Sequence, residues 1–399
     1  MAKKALIAAM TLALGSMYFN PSRAELFAQT KPAAAPQQGQ VQQPASTERQ
    51  VTPQEAFTLL SKAAGEGQPQ AMNSLGTLYE QGLGVARNYS RALEWYQKAA
   101  NAGLPVGFHQ VGLAYEQGKG VPANRDEAIK NFQKAAQMKL EESGYRLAAL
   151  ALAGTGQSDD AKAVEYLAAM GRTPAEAMEL AGTYYENGTG VAVNYSKAFQ
   201  WYKKAAEAGL PGAHYRLGVC YELGLGVSAD PKAAVAAFQK ASDLKLPDAS
   251  YKLASIYLEG VLATADNKKA IEYMTKATDS GHHLAANQLG VIYLDGLLGQ
   301  AKDPEKALTM FKKSSSLGNP EAMKNVAVIY RNGIGRKADP AEALKWYLIA
   351  KKSGYEAEGF SGIIDELSKS LKAADVKKAE EAADKWIAES ASKEPAAKK

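Results

Sequence analysis

The chain has 399 residues, a net charge of +5 and a single cysteine, Cys220. One cysteine excludes an intramolecular disulfide. The first 24 residues hold three basic side chains and no acid, so beyond them the balance falls to +2. That is too even for a nucleic-acid-binding surface.

Residues 1–24 read as a secretory signal. Lys3 and Lys4 form a basic start, Ala5 to Phe19 is a mostly apolar run, and Asn20-Pro21 ends it. Ser22-Arg23-Ala24 then offers small residues where a signal peptidase cuts. The run is shorter than the ~20 residues a spanning helix needs, and no cysteine follows it for a lipid anchor. No later segment is apolar enough to span a membrane. The expected mature chain therefore begins near Glu25 and is periplasmic or secreted. Residues 25–51, rich in Pro, Gln and Ala, read as a disordered linker. Thr52-Pro53-Gln54-Glu55 then predicts a helix start, with Thr at N-cap, Pro at N1 and Glu completing a capping box. The helix it opens makes 52–70 an N-terminal cap.

From Ala71 to about Glu356 one pattern recurs eight times. The first copy reads AMNSLGTLYEQGLGVARNYSRALEWYQKAANAGLP and the fourth AMELAGTYYENGTGVAVNYSKAFQWYKKAAEAGLP; they share 23 of 35 positions. The Gly of the Leu-Gly step, or its Ala substitute, falls at Gly76, Gly112, Ala148, Gly182, Gly218, Ala254, Gly290 and Ala327. Spacings of 34 to 37 residues mean a stacked array rather than one closed globule. In the first helix, Leu75 and Tyr79 share a face, and Gly76 lets another helix approach closely. Gly82 ends the helix in the left-handed region, and Gly84 permits a tight turn. The second helix starts with Asn88, Asn124, Asp159, Asn194, Asp230, Asp266, Asp303 or Asp339 as N-cap. Aromatic residues such as Trp95-Tyr96 then mark its buried face.

These residues resemble the Sel1-like repeat family, a relative of the tetratricopeptide repeat, from about residue 53 to 356. The resemblance implies an all-α fold: a right-handed superhelical α/α solenoid of helix-turn-helix repeats. The third repeat is degenerate, with Ala151 in place of Tyr and a shortened loop. Beyond it, Ile364, Leu367, Leu371, Val376, Ala379, Ala383, Trp386 and Ile387 trace helical stripes. These predict C-terminal capping helices over 357–390, with a disordered tail at 391–399.

The chain lacks a catalytic constellation. His109, His214, His282 and His283 have no Cys, Asp or Glu at metal-ligand spacing, and His282-His283 reads as a solvated turn. Cys220 reads as a small core residue. Ser-x-x-Lys occurs at Ser242–Lys245 and Ser390–Lys393 without its partner motifs, and the Gly-x-Gly turns follow no strand. No catalytic, cofactor-binding or metal-binding residue is expected, and no cofactor. Asn88-Tyr-Ser90 and Asn194-Tyr-Ser196 match a glycosylation sequon but coincide with the repeat's helix cap.

The remaining candidate is a surface. In the related tetratricopeptide fold, first-helix positions line a concave groove. By that resemblance one column holds Glu80, Glu116, Glu186, Glu222 and Arg331, together with Leu152, Leu258 and Leu294. A second column holds Tyr145, Tyr215 and Tyr251. The face is expected to be acidic toward the N-terminal half and more apolar toward the C-terminal half. These features predict an exported, non-catalytic scaffold that binds a protein or peptide partner, in the bacterial cell envelope. The alternatives are a component of an exopolysaccharide or cell-wall process and a weak β-lactam-binding hydrolase. Nucleic acid is not an expected partner, and the sequence is silent on oligomeric state.

Overall fold

A computed structural model describes residues 52–154 and 157–391. The expected signal and linker, and residues 392–399, lie outside the described residues. Among those described there are helices and turns but no strand. They fall into two compact units that divide between Leu210 and Pro211.

The first unit contains α1 (Pro53–Gly65), α2 (Pro69–Gln81), α3 (Tyr89–Asn101), α4 (Pro105–Gln117) and α5 (Arg125–Gln137). It continues with α6 (Glu141–Leu152), α7 (Gln157–Ala169), α8 (Pro174–Asn187) and α9 (Tyr195–Glu207). Helices α2/α3, α4/α5, α6/α7 and α8/α9 are hairpins, and each hairpin packs on the next, with α1 against α2. The second unit contains α10 (Pro211–Leu223), α11 (Pro231–Asp243), α12 (Pro247–Glu259), α13 (Asn267–Asp279) and α14 (His283–Asp295). It ends with α15 (Pro304–Ser316), α16 (Pro320–Asn332), α17 (Pro340–Lys352), α18 (Phe360–Ser370) and α19 (Ala373–Ala391). Here α10/α11, α12/α13, α14/α15 and α16/α17 pair in the same way, and α18 and α19 pack on α17. In that last layer Ile364, Leu367, Ala379 and Ala383 are buried with Tyr347 and Ile349, and the Trp386 ring lies edge-on 5.8 Å from Trp346.

Local chemistry accounts for the helix ends. At α1, Thr52 and Glu55 form the capping box, each side chain bonding the other's backbone N–H; Thr173 and Glu176 repeat it at α8. Asn88 accepts from Arg91 N at 3.0 Å, and Asp230 accepts from Lys232 N and Ala233 N at 2.9 and 3.0 Å. Asn124, Asn194, Asp266, Asp303 and Asp339 cap their helices likewise. The expected cap Asp159 lies instead within the first turn of α7, which begins at Gln157. The shortened loop of the third repeat shifts that helix start upstream of the column.

Two glycines explain how helices come so close. A Cβ on Gly76 would lie 2.6 Å from the Tyr96 ring of the same hairpin. Gly84 has φ +70°, and a Cβ there would lie 2.1 Å from the Pro53 carbonyl oxygen. The first glycine closes a hairpin; the second seats its loop on the N-terminus of α1.

Candidate functional site

The groove column sits on the last turns of the first helices, and each carboxylate in it has a partner. In the first repeat, Glu80 accepts from the Tyr96 hydroxyl at 2.8 Å and from Lys119 Nζ at 2.8 Å. Tyr96 comes from the second helix of the same hairpin, whereas Lys119 comes from the loop of the next repeat. Burial, followed by a hydrogen bond to Thr77 that works the other way and the Glu80 charge, leaves the Tyr96 phenol well above the usual tyrosine range. In the fourth repeat the Tyr202 hydroxyl donates to Glu186 in the same way. Where the second-helix aromatic is phenylalanine, only the cross-repeat bond remains: Arg146 Nε donates to Glu116 at 2.8 Å, and Lys252 Nζ donates to Glu222 at 2.9 Å. Arg331 is exposed and lies 3.8 Å from Glu366 on α18.

The column therefore links neighbouring repeats and carries its own counter-charges. Lys119, Arg146 and Lys252 compensate Glu80, Glu116 and Glu222 within a few ångströms, so these groups do not form a free acidic strip. Leu152 and Leu258, the apolar members, are buried in the core; Leu294 is partly buried against the core that α16 and α17 help form.

The tyrosine column divides. The Tyr145 hydroxyl accepts from Arg172 at 2.9 Å, and the Arg172 guanidinium stands 5.7 Å over its ring. Tyr215 is half-buried, its ring tilted 5.3 Å from Phe238. Tyr251 has no exposed surface and so departs from the groove position expected of it. Its hydroxyl accepts from Gln288 Nε2 at 2.9 Å and its ring stacks on His282, so α14 covers it. Sequence reasoning erred in the same place about His282-His283: His282 is 4% exposed. Its ring fills a core position in the turn, where repeats two, five and six carry Leu104, Leu210 and Leu246.

The described surface has an open cleft of ≈ 390 Å³ in the first unit, between the first two repeats. It is lined by Thr77, Glu80, Gln81, Arg87, Tyr89 and Tyr96 of the first repeat and by Gln110 and Lys119 of the second. Gln81 is exposed and Gln110 half-exposed, so both amides can give and take hydrogen bonds. Tyr89 is 36% exposed, with Lys119 Nζ 5.7 Å over its ring. Gln81, Tyr89 and Gln110 were missed: they belong to the cleft only because two repeats meet there, and no motif within one repeat marks them.

Other residues singled out by type hold structural positions. His109 Nδ1 lies 2.8 Å from Ser143 Oγ, and burial lowers its pKa. Cys220 is buried. Ser242 Oγ pairs with Ser250 Oγ at 2.6 Å. Among the described residues no cluster of three or more His, Cys, Asp or Glu is arranged to hold a metal ion. No described helix is long and apolar enough to cross a membrane.

The Sel1 repeat profile matches eight consecutive segments: 69–104, 109–140, 143–170, 175–210, 211–246, 247–282, 283–319 and 320–355. The chain belongs to the Sel1 repeat family. Proteins built of Sel1 repeats are generally protein-interaction scaffolds, and the fold is typically non-enzymatic. A Sel1 repeat protein from Oxalobacter formigenes is 25% identical, covering 78% of this chain and 79% of its own, with a TM-score of 0.43. A protective antigen present in uropathogenic Escherichia coli strains, displaying an SLR fold, is 26% identical over 84% of this chain and 79% of its own, at a TM-score of 0.34. An immunity protein from Pseudomonas aeruginosa is 19% identical over 66% and 82%, at a TM-score of 0.27. With TM-scores this low, the fold assignment rests on the repeat matches and on the helix pairs themselves. No curated protein matches the chain.

Proposed function

We propose that this Sel1 repeat protein is an exported, non-catalytic adaptor of the bacterial cell envelope, and that a protein segment docks in the cleft of its first two repeats. The observation that carries the reading is that cleft: an open, mixed-charge groove in which Gln81 and Gln110 present amides and Tyr89 an exposed ring. Amide side chains suit a peptide backbone, which offers one donor and one acceptor per residue. An aromatic ring at the edge suits an anchoring side chain. Glu80 is matched by Lys119, and Arg87 adds a second positive charge to the lining, so the cleft favours a segment that brings a carboxylate beside its backbone hydrogen bonds.

Export rests on the basic, apolar and small-residue order of residues 1–24. Mass spectrometry of the periplasmic or secreted product is expected to find a chain beginning at Glu25; a membrane-retained chain still carrying Met1 sinks that part. The docking site is tested by capture from periplasmic extract on residues 25–399, in parallel with a Tyr89→Ala/Gln110→Ala variant. A partner held by the parent and lost by the folded variant supports the cleft. A partner held equally by both moves the site elsewhere.

A further inference from the structure

The turn between the sixth and seventh repeats departs from its counterparts. Three turns of this kind end in Leu-Pro, at Leu104-Pro105, Leu210-Pro211 and Leu246-Pro247, and the helices that follow the first and last of these have no side-chain N-cap. Here the pair is His282-His283. The His282 ring is buried and stacks on Tyr251 with centroids 4.2 Å apart. Its Nδ1 accepts from Ala285 N at 3.1 Å and so caps α14. An accepting Nδ1 places the neutral ring's proton on Nε2. That N–H is buried without a hydrogen-bond partner, 3.7 Å from Asp248 Oδ1. The Nδ1 of His283 and the Oε1 of Gln288 are likewise buried and unpartnered.

An unpaired buried donor costs stability, whereas leucine at this position costs none. A second proton on His282 has a larger effect. Nδ1 then carries hydrogen and can no longer accept from Ala285, so the α14 cap is lost. The new charge sits 6.0 Å from the His283 ring. From α12 it faces Asp248 and the Tyr251 phenol; on α13 and α15, Asp279 and Lys313 are paired to each other at 2.9 Å. Asp248 Oδ1, 3.7 Å from Nε2 and half exposed, offers the charged ring a counter-ion where it stands; what opens the joint is the lost Nδ1 cap together with the cost of a charge in a buried position.

We propose that the joint between α13 and α14 is a pH-sensitive latch, closed by neutral His282 and opened when that ring is protonated. Burial, and then the nearby His283, hold the His282 pKa down to about 4, against 6.5 for a free imidazole. A depressed histidine pKa means the closed joint binds the proton more weakly than the open one. The closed state is therefore fully favoured above pH 6.5 and loses stability as pH falls from 6.5 toward 4. At pH 4.5 the opening constant rises on the order of 70-fold over its value at pH 7.5, if the open joint titrates as a free imidazole. The surface that the sixth and seventh repeats share then changes with acidity.

Hydrogen exchange of the full chain, expressed as protection factors at pH 7.5 and 4.5, tests this. Residues 280–292 are expected to lose protection at pH 4.5 at least tenfold more than residues 316–328. The second segment is an internal control, because Asn319 caps α16 there with a side chain that does not titrate. His282→Asn copies that cap and is expected to abolish the acid-specific loss. Equal losses in the two segments of the unmodified chain overturn the latch, and so does an acid-specific loss that persists in His282→Asn.

Discussion

Replacing Gly84 by alanine tests how one repeat is seated on the one before it. Two costs add at this position. With φ +70°, an alanine enters the left-handed region, at about 1 kcal/mol. Its Cβ also meets the Pro53 carbonyl oxygen at 2.1 Å and the carbonyl carbon at 2.5 Å. Both are backbone atoms at the start of α1, so no rotamer change relieves the overlap and the loop must lift. Overpacking of this kind adds about 1–3 kcal/mol, giving about 2–4 kcal/mol in all. Gly103 supplies the control: its φ is +84°, but nothing lies within 4 Å of an added Cβ. Gly103→Ala should therefore cost only the backbone part, about 1 kcal/mol. Because repeat arrays need not unfold in one step, urea melts should be read together with amide exchange over Pro53–Gly65. The expected result is a lower midpoint for Gly84→Ala than for Gly103→Ala, with protection lost first in α1. Equal midpoints and an unchanged α1 would refute the seating argument.

Gly76→Ala drives a methyl toward the Tyr96 ring at 2.6 Å; it should destabilise by about 1–3 kcal/mol and shift the Tyr96 hydroxyl off Glu80, visible as a changed tyrosine absorbance. Asp230→Ala removes the acceptor for two backbone N–H groups and should cost about 1 kcal/mol, measured by urea melts of the full chain. Glu222→Gln leaves Lys252, whose side chain is 12% exposed, without its counter-charge. It should cost more than Glu94→Gln, whose Arg91 partner is 61% exposed and contributes at most about 1 kcal/mol; equal costs would mean the cross-repeat pair is as dispensable as a surface one. Changing Glu80, Glu116, Glu186 and Glu222 together to Gln should lower the urea midpoint, because these carboxylates are bonded across helices; an unchanged midpoint would mean that they are solvated after all.

The repeat period, the helix caps and the glycine turns were legible because they are local. Asn88 and Asp230 cap helices through hydrogen bonds that span two or three residues, and Gly82 and Gly84 meet backbone requirements set within one loop. Where locality was disturbed, the reading slipped. Asp159 carries the cap residue type, but the shortened loop before it let α7 begin at Gln157, upstream of the column. The Glu column was also legible as a column, since Glu80, Glu116, Glu186 and Glu222 follow the repeat Tyr at fixed spacing. Its counter-charges were not, because Lys119 lies 39 residues from Glu80 and Arg146 lies 30 from Glu116.

Residue type and spacing by themselves determined that this chain folds as paired helices in eight repeats, and where most of those helices start and stop. Tertiary structure alone decided which repeated positions face solvent. One column can hold a half-exposed Tyr145 and Tyr215 yet a wholly covered Tyr251, because cover comes from the neighbouring helix. The Gln288 amide on the next repeat and the His282 ring in the turn that leads to it are what enclose Tyr251. The same holds for His282, which sequence context marks as polar and turn-forming. Packing against α12 takes it out of water and leaves one nitrogen unpaired in an ordinary-looking turn.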